Sequence, residues 1–411
     1  MNYREALGRL QQFLAPLPAE EFFERVLPGG FRKVEGDPGA PRTLLLGPDP
    51  QALLTAAVYL APKLTYHSAN PTGPAPSLES VADAADFRRR IEEFHARNYS
   101  VRFPELRPLS APLDILARSL EMLLHAPVTA SAFWSRGGMR APLHYDDHDL
   151  IVVQLRGNKR WYVSSTPSEL NNTWKSIPEG APELGPHLTV DVRPGDLMYF
   201  PRGTLHTVDA DSESLHLSIG FTPLTVREAV IAALNQLSDL DRGWRMSFAG
   251  PLALQLRGPG LERFNAPSVE AAGNLAAACK TPGFLASALQ ARSSRAIAAL
   301  PPLRAPQPLP TIDLDSELQQ SEAAFCHLTA SPERIDVSYP GGHIYIHRGA
   351  QQSLEHIVNT PRFRVRDIPG EVGDDVRLSL AQRFLEIGYL ELAPPGEQAA
   401  GAPQSAPGTA G

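Results

Sequence analysis

Apolar residues recur every three or four positions over residues 4–14 and 19–26, which predicts two amphipathic helices near the N-terminus. The run TLLL at 43–46 reads as a short strand, and NPTGPAPS at 70–77 as a Pro/Gly loop leading to a helix over about 80–96. From about 97 to 222 the pattern changes. Short apolar runs alternate with turns: SVRF, VTASAFW, LIVVQL, RWYV, LTVDV, LMYF, LHTV and LHLSIGF. That spacing belongs to an all-β barrel or sandwich, interrupted by one helix at about 111–124. LIVVQL and KRWYV flank Gly157-Asn158 and are expected to pair as a hairpin. Residues 225–300 return to Ala- and Leu-rich helix, with apolar faces that include Val230, Ile231, Leu234 and Leu237.

Pro306, Pro308 and Pro310 mark a linker, after which residues 312–393 mix helices with a hairpin, RIDVSYP and GGHIYIHR. The closing stretch, PPGEQAAGAPQSAPGTAG, has almost nothing to bury and is expected to be disordered. The chain therefore divides into an N-terminal extension (1–96), a barrel (97–222), a helical region (223–305), a small C-terminal domain (312–393) and a tail (394–411). A length of 411 residues suits two or three compact units, and 40 prolines call for many loops.

Charge and cysteine usage narrow the class. Lys and Arg number 38 against 45 Asp and Glu, giving a net charge of −7 with no basic run, so direct nucleic-acid binding is not expected. The two cysteines, Cys279 and Cys326, form no C-x-x-C pair, which argues against a disulfide framework or a thiolate zinc site and fits a reducing cytoplasm. The N-terminus lacks the charged start and long apolar core of a signal peptide. No apolar run approaches the roughly 18–20 residues of a membrane span. A soluble, cytoplasmic protein is expected.

The segment PLHYDDHDLIVVQL carries candidate chemistry. Read as a strand entering the barrel, it projects His144 and Asp146 to one face. His206 lies far along the chain, in PGDLMYFPRGTLHTV, where barrel closure would bring it beside the first two. A 2-His-1-carboxylate set holds Fe(II) and leaves three positions open, enough for a chelating co-substrate and O2. H-x-D alone is weak; with the distant G-D-x-x-Y-x-P-x-G-x-x-H pattern it is specific. If the co-substrate is 2-oxoglutarate, its far carboxylate needs a buried cation. Lys159 follows the hairpin turn and could reach inward, with Arg160 then pointing outward and Ser135 offering a hydroxyl to the same carboxylate.

Other histidines read differently. His148 shares the parity of His144 and Asp146, but four strand residues span about 13 Å, which places it at the barrel mouth rather than on the metal. His216 is expected as a hydrogen-bonded core histidine that could also line the pocket. His343 and His347 share a strand face without an acid beside them and read as surface or packing residues.

The stretch 129–222 resembles the JmjC-type, cupin-like Fe(II)/2-oxoglutarate oxygenases, on PLHYDDHDLIVVQLRGNKRW, PGDLMYFPRGTLHTV and SLHLSIGF, and is most similar to their ribosomal-oxygenase branch. The resemblance implies an α+β chain: a double-stranded β-helix (jelly-roll) core, an N-terminal α/β extension, a helical dimerisation region and a winged-helix-like C-terminal domain. It implies His144, Asp146 and His206 as iron ligands and Lys159 as the partner of the 2-oxoglutarate carboxylate. It also implies hydroxylation of a protein side chain, with His or Arg of a ribosomal protein favoured, by a homodimer. Phe133 departs from the pattern, near where relatives can place a tyrosine, and bears on the co-substrate's polar neighbours and on the target. Two other readings stay open: the same chemistry on a small molecule or biosynthetic peptide, and a non-enzymatic cupin-like binding protein.

Overall fold

The computed structural model describes residues 1–168, 170, 183–247 and 262–394 and divides into two units. The first comprises Met1–Pro301 with Ser338–His343, and the second Pro302–Val337 with Ile344–Gly411. The proposed tail lies almost wholly outside the described residues.

In the first unit, helix α1 (Tyr3–Leu14) opens on a reciprocal capping box between Asn2 and Glu5. It is followed by strands β1 (Arg32–Val34) and β2 (Thr65–His67), helix α2 (Ala84–Ala96), β3 (Ser100–Phe103) and helix α3 (Ala111–Leu124). The barrel strands are β4 (Val128–Ser135), β5 (Met139–Arg140), β6 (Asp149–Arg156), β7 (Lys159–Ser164), β8 (His187–Val192), β9 (Leu197–Phe200), β10 (His206–Ala210) and β11 (Ser214–Phe221). They form two sheets, one ordered β1-β9-β6-β11-β4-β3-β2 and the other β5-β10-β7-β8. The strands β1 and β2, from before residue 97, are thus part of the larger sheet.

Two of the expected elements come out differently. The 43–46 run is no strand: Pro41–Leu44 forms a 3-10 turn. Thr43 Oγ1 donates to Ala40 O (2.8 Å), and the buried Arg42 guanidinium donates to Gly195 O (2.6 Å) and Phe13 O (2.9 Å), so the segment is spent on side-chain-to-backbone bonds. Nor do LIVVQL and KRWYV pair as a hairpin. β6 bonds to β9 and β11 while β7 bonds to β10 and β8, and the Gly157 turn (φ 62°) crosses from one sheet to the other. A Cβ on Gly157 would lie 2.0 Å from Glu213 O, so only glycine fits this crossing.

The larger sheet is covered on both faces. Its outer face meets α1, α2 and α3 in a core that includes Leu10, Phe22, Phe87, Phe94, Phe103 and Leu120, all fully buried. Its inner face, with Phe200 of β9, closes the barrel against Trp161, Val163 and Val208 of the second sheet. Burial on both faces explains why LIVVQL and LHLSIGF read as continuous apolar runs rather than alternating ones.

Beneath the barrel a charged group is sealed in. Glu121 of α3, fully buried, accepts from Arg107 and from Arg118 Nη1 (2.9 Å) and takes the Val128 N–H at the start of β4 (3.3 Å). This cluster fixes α3 against the strand that forms the cavity wall.

Helices α4 (Val226–Leu240), α5 (Glu262–Cys279) and α6 (Phe284–Ala298) follow the barrel. α4 buries Ala232 and Ala233 and leaves Val226, Val230 and Leu234, spaced one turn apart, on the outside. The second unit has its own core, including Leu318, Ile357, Phe363, Phe384 and Leu385. Among its elements are a three-stranded sheet of Glu317–Gln320, Arg362–Arg364 and Leu390–Leu392 and the helices Gln351–Asn359 and Asp374–Glu386. No helix among the described residues is long and apolar enough to cross a membrane.

Removing the carboxylate at the centre of the sealed cluster takes a buried ion-pair partner from Arg118 and one from Arg107, which keeps Asp114. Glu121→Ala is expected to cost about 3–5 kcal/mol of unfolding free energy, read from urea or guanidinium melts, against under about 1 kcal/mol for the exposed pair Arg88–Glu92.

Candidate metal centre

His144 and His206 meet through their backbones before their side chains do. The His144 N–H donates to His206 O (3.1 Å) and the His206 N–H to His144 O (2.8 Å), an isolated antiparallel bridge at the head of β10. The HYDD segment is therefore not a regular strand, as its alternation suggested. His144 sits in the bridge, Asp146 in the turn that follows, and β6 begins only at Asp149. The turn is held by Gly203, whose N–H donates to Asp146 O (2.8 Å) and whose φ of 80° favours glycine.

The outcome is one cluster. Ligand atoms of His144, Asp146 and His206 all lie within 4.8 Å of one another. His206 Nε2 is 3.5 Å from Asp146 Oδ2, and the two imidazole centroids are 4.4 Å apart. Each histidine has its Nδ1 bonded to a carbonyl two residues back, His144 to Pro142 O (2.8 Å) and His206 to Thr204 O (2.9 Å). A carbonyl only accepts, so each Nδ1 carries the proton and each Nε2 lone pair is left for a metal. Burial, reinforced by His144, lowers the His206 pKa to about 4, so the ring is neutral at physiological pH. The Asp146 side chain is 37% exposed.

Other letters of the G-D-x-x-Y-x-P-x-G-x-x-H pattern brace this centre. A Cβ on Gly195 would lie 2.1 Å from Asp37 O. Asp196 is buried and accepts from the backbone N–H groups of Gly36 (3.0 Å) and Arg193 (3.2 Å). Tyr199 donates to Asp149 (2.6 Å), which also accepts from Arg202 Nη1 (3.0 Å) and lies three residues past Asp146. Asp149 and Arg202 thereby tie the two ligand-bearing segments together a second time.

The centre opens into a cavity of about 520 Å³. Behind the His216 wall lies Lys159, itself not a lining residue and fully enclosed, with Nζ 3.2 Å from Ser135 Oγ and 2.9 Å from His216 Nδ1. His216 is held well below its usual pKa by burial and then by Lys159, so its Nδ1 accepts and the lysine donates. The hydroxyl of Ser135 is in turn bonded to Ser100 (2.9 Å). Burial alone lowers the Lys159 pKa to about 7, and no carboxylate offsets it. A cation desolvated this far without an acid is suited to an anionic ligand. The indole N–H of Trp161, also on the cavity wall, has no hydrogen-bond partner. These donors fit the carboxylate of a dicarboxylic co-substrate, and the three-residue cluster fits a divalent metal.

The remaining sequence candidates separate cleanly. Arg160 is exposed and paired with Asp191 (2.7 Å). His148 lines the cavity mouth, 43% exposed, and pairs with Asp147. His216 both lines the cavity and is hydrogen-bonded, while His343 and His347 are exposed. Phe133 stacks on His216 (4.9 Å, 15°).

Sequence reading missed two wall residues, His67 and Arg102. Burial, then Lys159, His144 and Arg102, lower the His67 pKa to about 4. A signal for Arg102 was present: it stands between Val101 and Phe103, both fully buried, so alternation turns it to the opposite, inner face.

Residues 111–229 match the JmjC domain family. The chain is 30% identical over 139 residues to ribosomal oxygenase 2 of Rattus norvegicus, covering 33% of this chain and 30% of the rat protein. It is 31% identical over 154 residues to the bifunctional lysine-specific demethylase and histidyl-hydroxylase NO66 of Drosophila persimilis, covering 33% of this chain and 22% of that one. The chain thus spans less than a third of the length of these two relatives. In fold it resembles YcfD, a ribosomal oxygenase from Escherichia coli solved with cobalt and 2-oxoglutarate. That likeness has a TM-score of 0.50 at 15% identity, over 92% of this chain and 99% of that one.

The Lys159 shift makes a pH test. Its folded pKa lies below the unfolded value, so the unfolded chain binds more protons between about pH 7 and 10.5, and folding stability rises with pH across that window. A carboxylate bound at Lys159 favours the ammonium form. 2-Oxoglutarate binding to the Co(II)-loaded protein should therefore take up close to one proton at pH 8 and weaken up to about tenfold per unit above the pKa. Lys159→Met should abolish the proton uptake and cost about 10- to 150-fold in co-substrate affinity while retaining Co(II). Calorimetry in two buffers of different ionisation enthalpy reads both, and unaltered proton uptake would remove Lys159 from this role.

Proposed function

We propose that this chain, a JmjC-domain protein related to the ribosomal oxygenases, is an Fe(II)- and 2-oxoglutarate-dependent hydroxylase of a protein side chain. The observation that carries the reading is the Nε2-presenting pair His144 and His206 beside Asp146, opening into a cavity with the buried Lys159 behind its His216 wall. In this reading the three residues hold Fe(II), while Lys159 and Ser135 receive the distal carboxylate of 2-oxoglutarate. The bound metal supplies the coupling of O2 reduction to oxidative decarboxylation: a target C–H becomes C–OH while 2-oxoglutarate and O2 give succinate and CO2.

The chain's own residues contribute binding and shielding. Lys159 fixes one end of the co-substrate, and the Pro142 and Thr204 carbonyls keep both imidazoles in the ligating tautomer. Trp161 and Phe200, packed against His206 at 5.6 and 5.0 Å, exclude water on the inner side. The favoured target is His or Arg of a ribosomal protein, in keeping with the names of the relatives and with a net charge of −7 that attracts basic loops.

The test is intact-mass analysis of ribosomal proteins from cells with and without the gene. One protein should carry the mass of a single extra oxygen atom, lost on deletion and restored by the wild type but not by Asp146→Ala or His206→Ala. Identical masses throughout, with 2-oxoglutarate turnover on a metabolite or a biosynthetic peptide, would move the activity to that substrate class. No succinate release with any substrate would leave a non-catalytic binding protein.

Residues 223–305 are proposed as a homodimer-forming region and 312–393 as a winged-helix-like unit, in a cytoplasmic protein whose cysteines are free. The dimer is supported by the exposed stripe Val226 (82%), Val230 (45%) and Leu234 (36%) on α4. Light scattering at micromolar concentration should return twice the chain mass for wild type and a lighter species for Val226→Glu/Val230→Glu. A monomeric wild type would refute it.

A further inference from the structure

The cavity wall carries a cation, Arg102, that is not part of the co-substrate site proposed at Lys159. Arg102 reaches the inner wall from β3, and its Nη2 donates to Ser131 Oγ (2.9 Å). Its guanidinium lies 6.0 Å from the centre of the Phe133 ring, and among the described residues it pairs with no carboxylate. The two acids on the cavity wall are otherwise engaged, Asp146 in the metal cluster and Asp147 with His148.

Strand register places this cation relative to the metal. Lys159 Nζ bonds Ser135, and Arg102 bonds Ser131, four residues away on the same strand, which is about 13 Å of strand rise. On the facing sheet Lys159 pairs with Ala210, and the metal-cluster residue His206 again lies four residues away, opposite Val163. Both displacements run towards the mouth. A Cβ on Gly220, the cross-strand partner of Thr129, would lie 3.9 Å from that of His148. Arg102 is therefore level with the metal ligands. A 2-oxoglutarate with its distal carboxylate on Lys159 cannot also bring that carboxylate to Arg102.

We propose that Arg102 selects the side chain to be oxidised. The target presents a hydrogen-bond acceptor without positive charge, as a neutral imidazole, a carboxamide or a carboxylate does, and guanidinium or ammonium side chains are turned away. This rests on the oxygenase reading above and narrows it, because of the two favoured targets it keeps histidine and excludes arginine. A guanidinium stays charged at any physiological pH and offers only donors. Set against Arg102 it would meet a like charge, with only the neutral Ser131 and Ser218 hydroxyls as acceptors at that level. A neutral imidazole nitrogen or a carboxylate oxygen instead accepts from Arg102 while the adjoining carbon faces the metal. Ser131 and Ser218, paired across β4 and β11, supply further polar wall at the same level.

The experiment uses the full chain loaded with Fe(II), 2-oxoglutarate and O2 on synthetic peptide pools. Each pool has random flanks and a central His, Asn, Asp, Glu, Arg or Lys, and mass spectrometry counts the added oxygen. Wild type should oxidise one or more of the His, Asn, Asp and Glu pools at least about 100-fold faster than the Arg and Lys pools. Which acceptor pool leads identifies the acceptor. Arg102→Glu should lose that preference and gain activity on Arg or Lys, while both Arg102→Glu and Arg102→Gln keep peptide-free 2-oxoglutarate affinity, measured with Co(II), within about twofold.

Oxidation of the Arg or Lys pools by wild type overturns the proposal, as does an unchanged profile in Arg102→Gln. Succinate release that no acceptor pool stimulates overturns it too. Weakened 2-oxoglutarate binding in Arg102→Gln would reassign the residue to the co-substrate. A wild type that binds neither Co(II) nor 2-oxoglutarate refutes the oxygenase reading itself, a separate outcome.

Discussion

The candidate site depends first on the backbone bridge between His144 and His206. Two hydrogen bonds join residues 62 positions apart in sequence and set their rings at 4.4 Å, and neither imidazole could hold that spacing if its segment were free. The bridge is short, so it is braced. Gly203 donates to Asp146 O, and Asp149 takes both Tyr199 and Arg202. A ligand set for a small ion tolerates errors of only a few tenths of an ångström, and this doubled clasp is what the tolerance demands. Most of the sequence pattern around His206 therefore serves position, and only its last letter offers a ligand atom.

The second constraint is electrostatic. Arg102 lines the cavity and Lys159 lies behind its His216 wall; among the described lining residues the acids are Asp146, in the metal cluster, and Asp147, paired with His148, and His67 and His216 are kept neutral nearby. Such a cavity favours anions and acceptors over cations. The two cations have different neighbours, Lys159 with Ser135 and His216, Arg102 with Ser131 and Phe133. Phe133 and His216, stacked between these neighbourhoods, form the floor on which the distinction rests.

The sequence by itself determined most of the elements and the members of the candidate metal cluster. Short apolar runs with turn residues between them gave nearly every barrel strand, because strand length and turn composition are local properties. H-x-D and the distant histidine named the metal cluster, and Lys159 stood out as the one inward-facing cation after the turn. Only the tertiary structure decided the rest. Whether β6 and β7 pair is set by which strands already occupy β6's edges, a fact of sheet order that no dipeptide encodes. The TLLL segment is helical because Arg42 reaches Gly195, 153 residues away. Asp146 sits in a turn because the bridge to His206 ends the pairing there. Arg102 became visible as a wall of the cavity once β3 joined β4, since inward-facing means nothing until there is an inside.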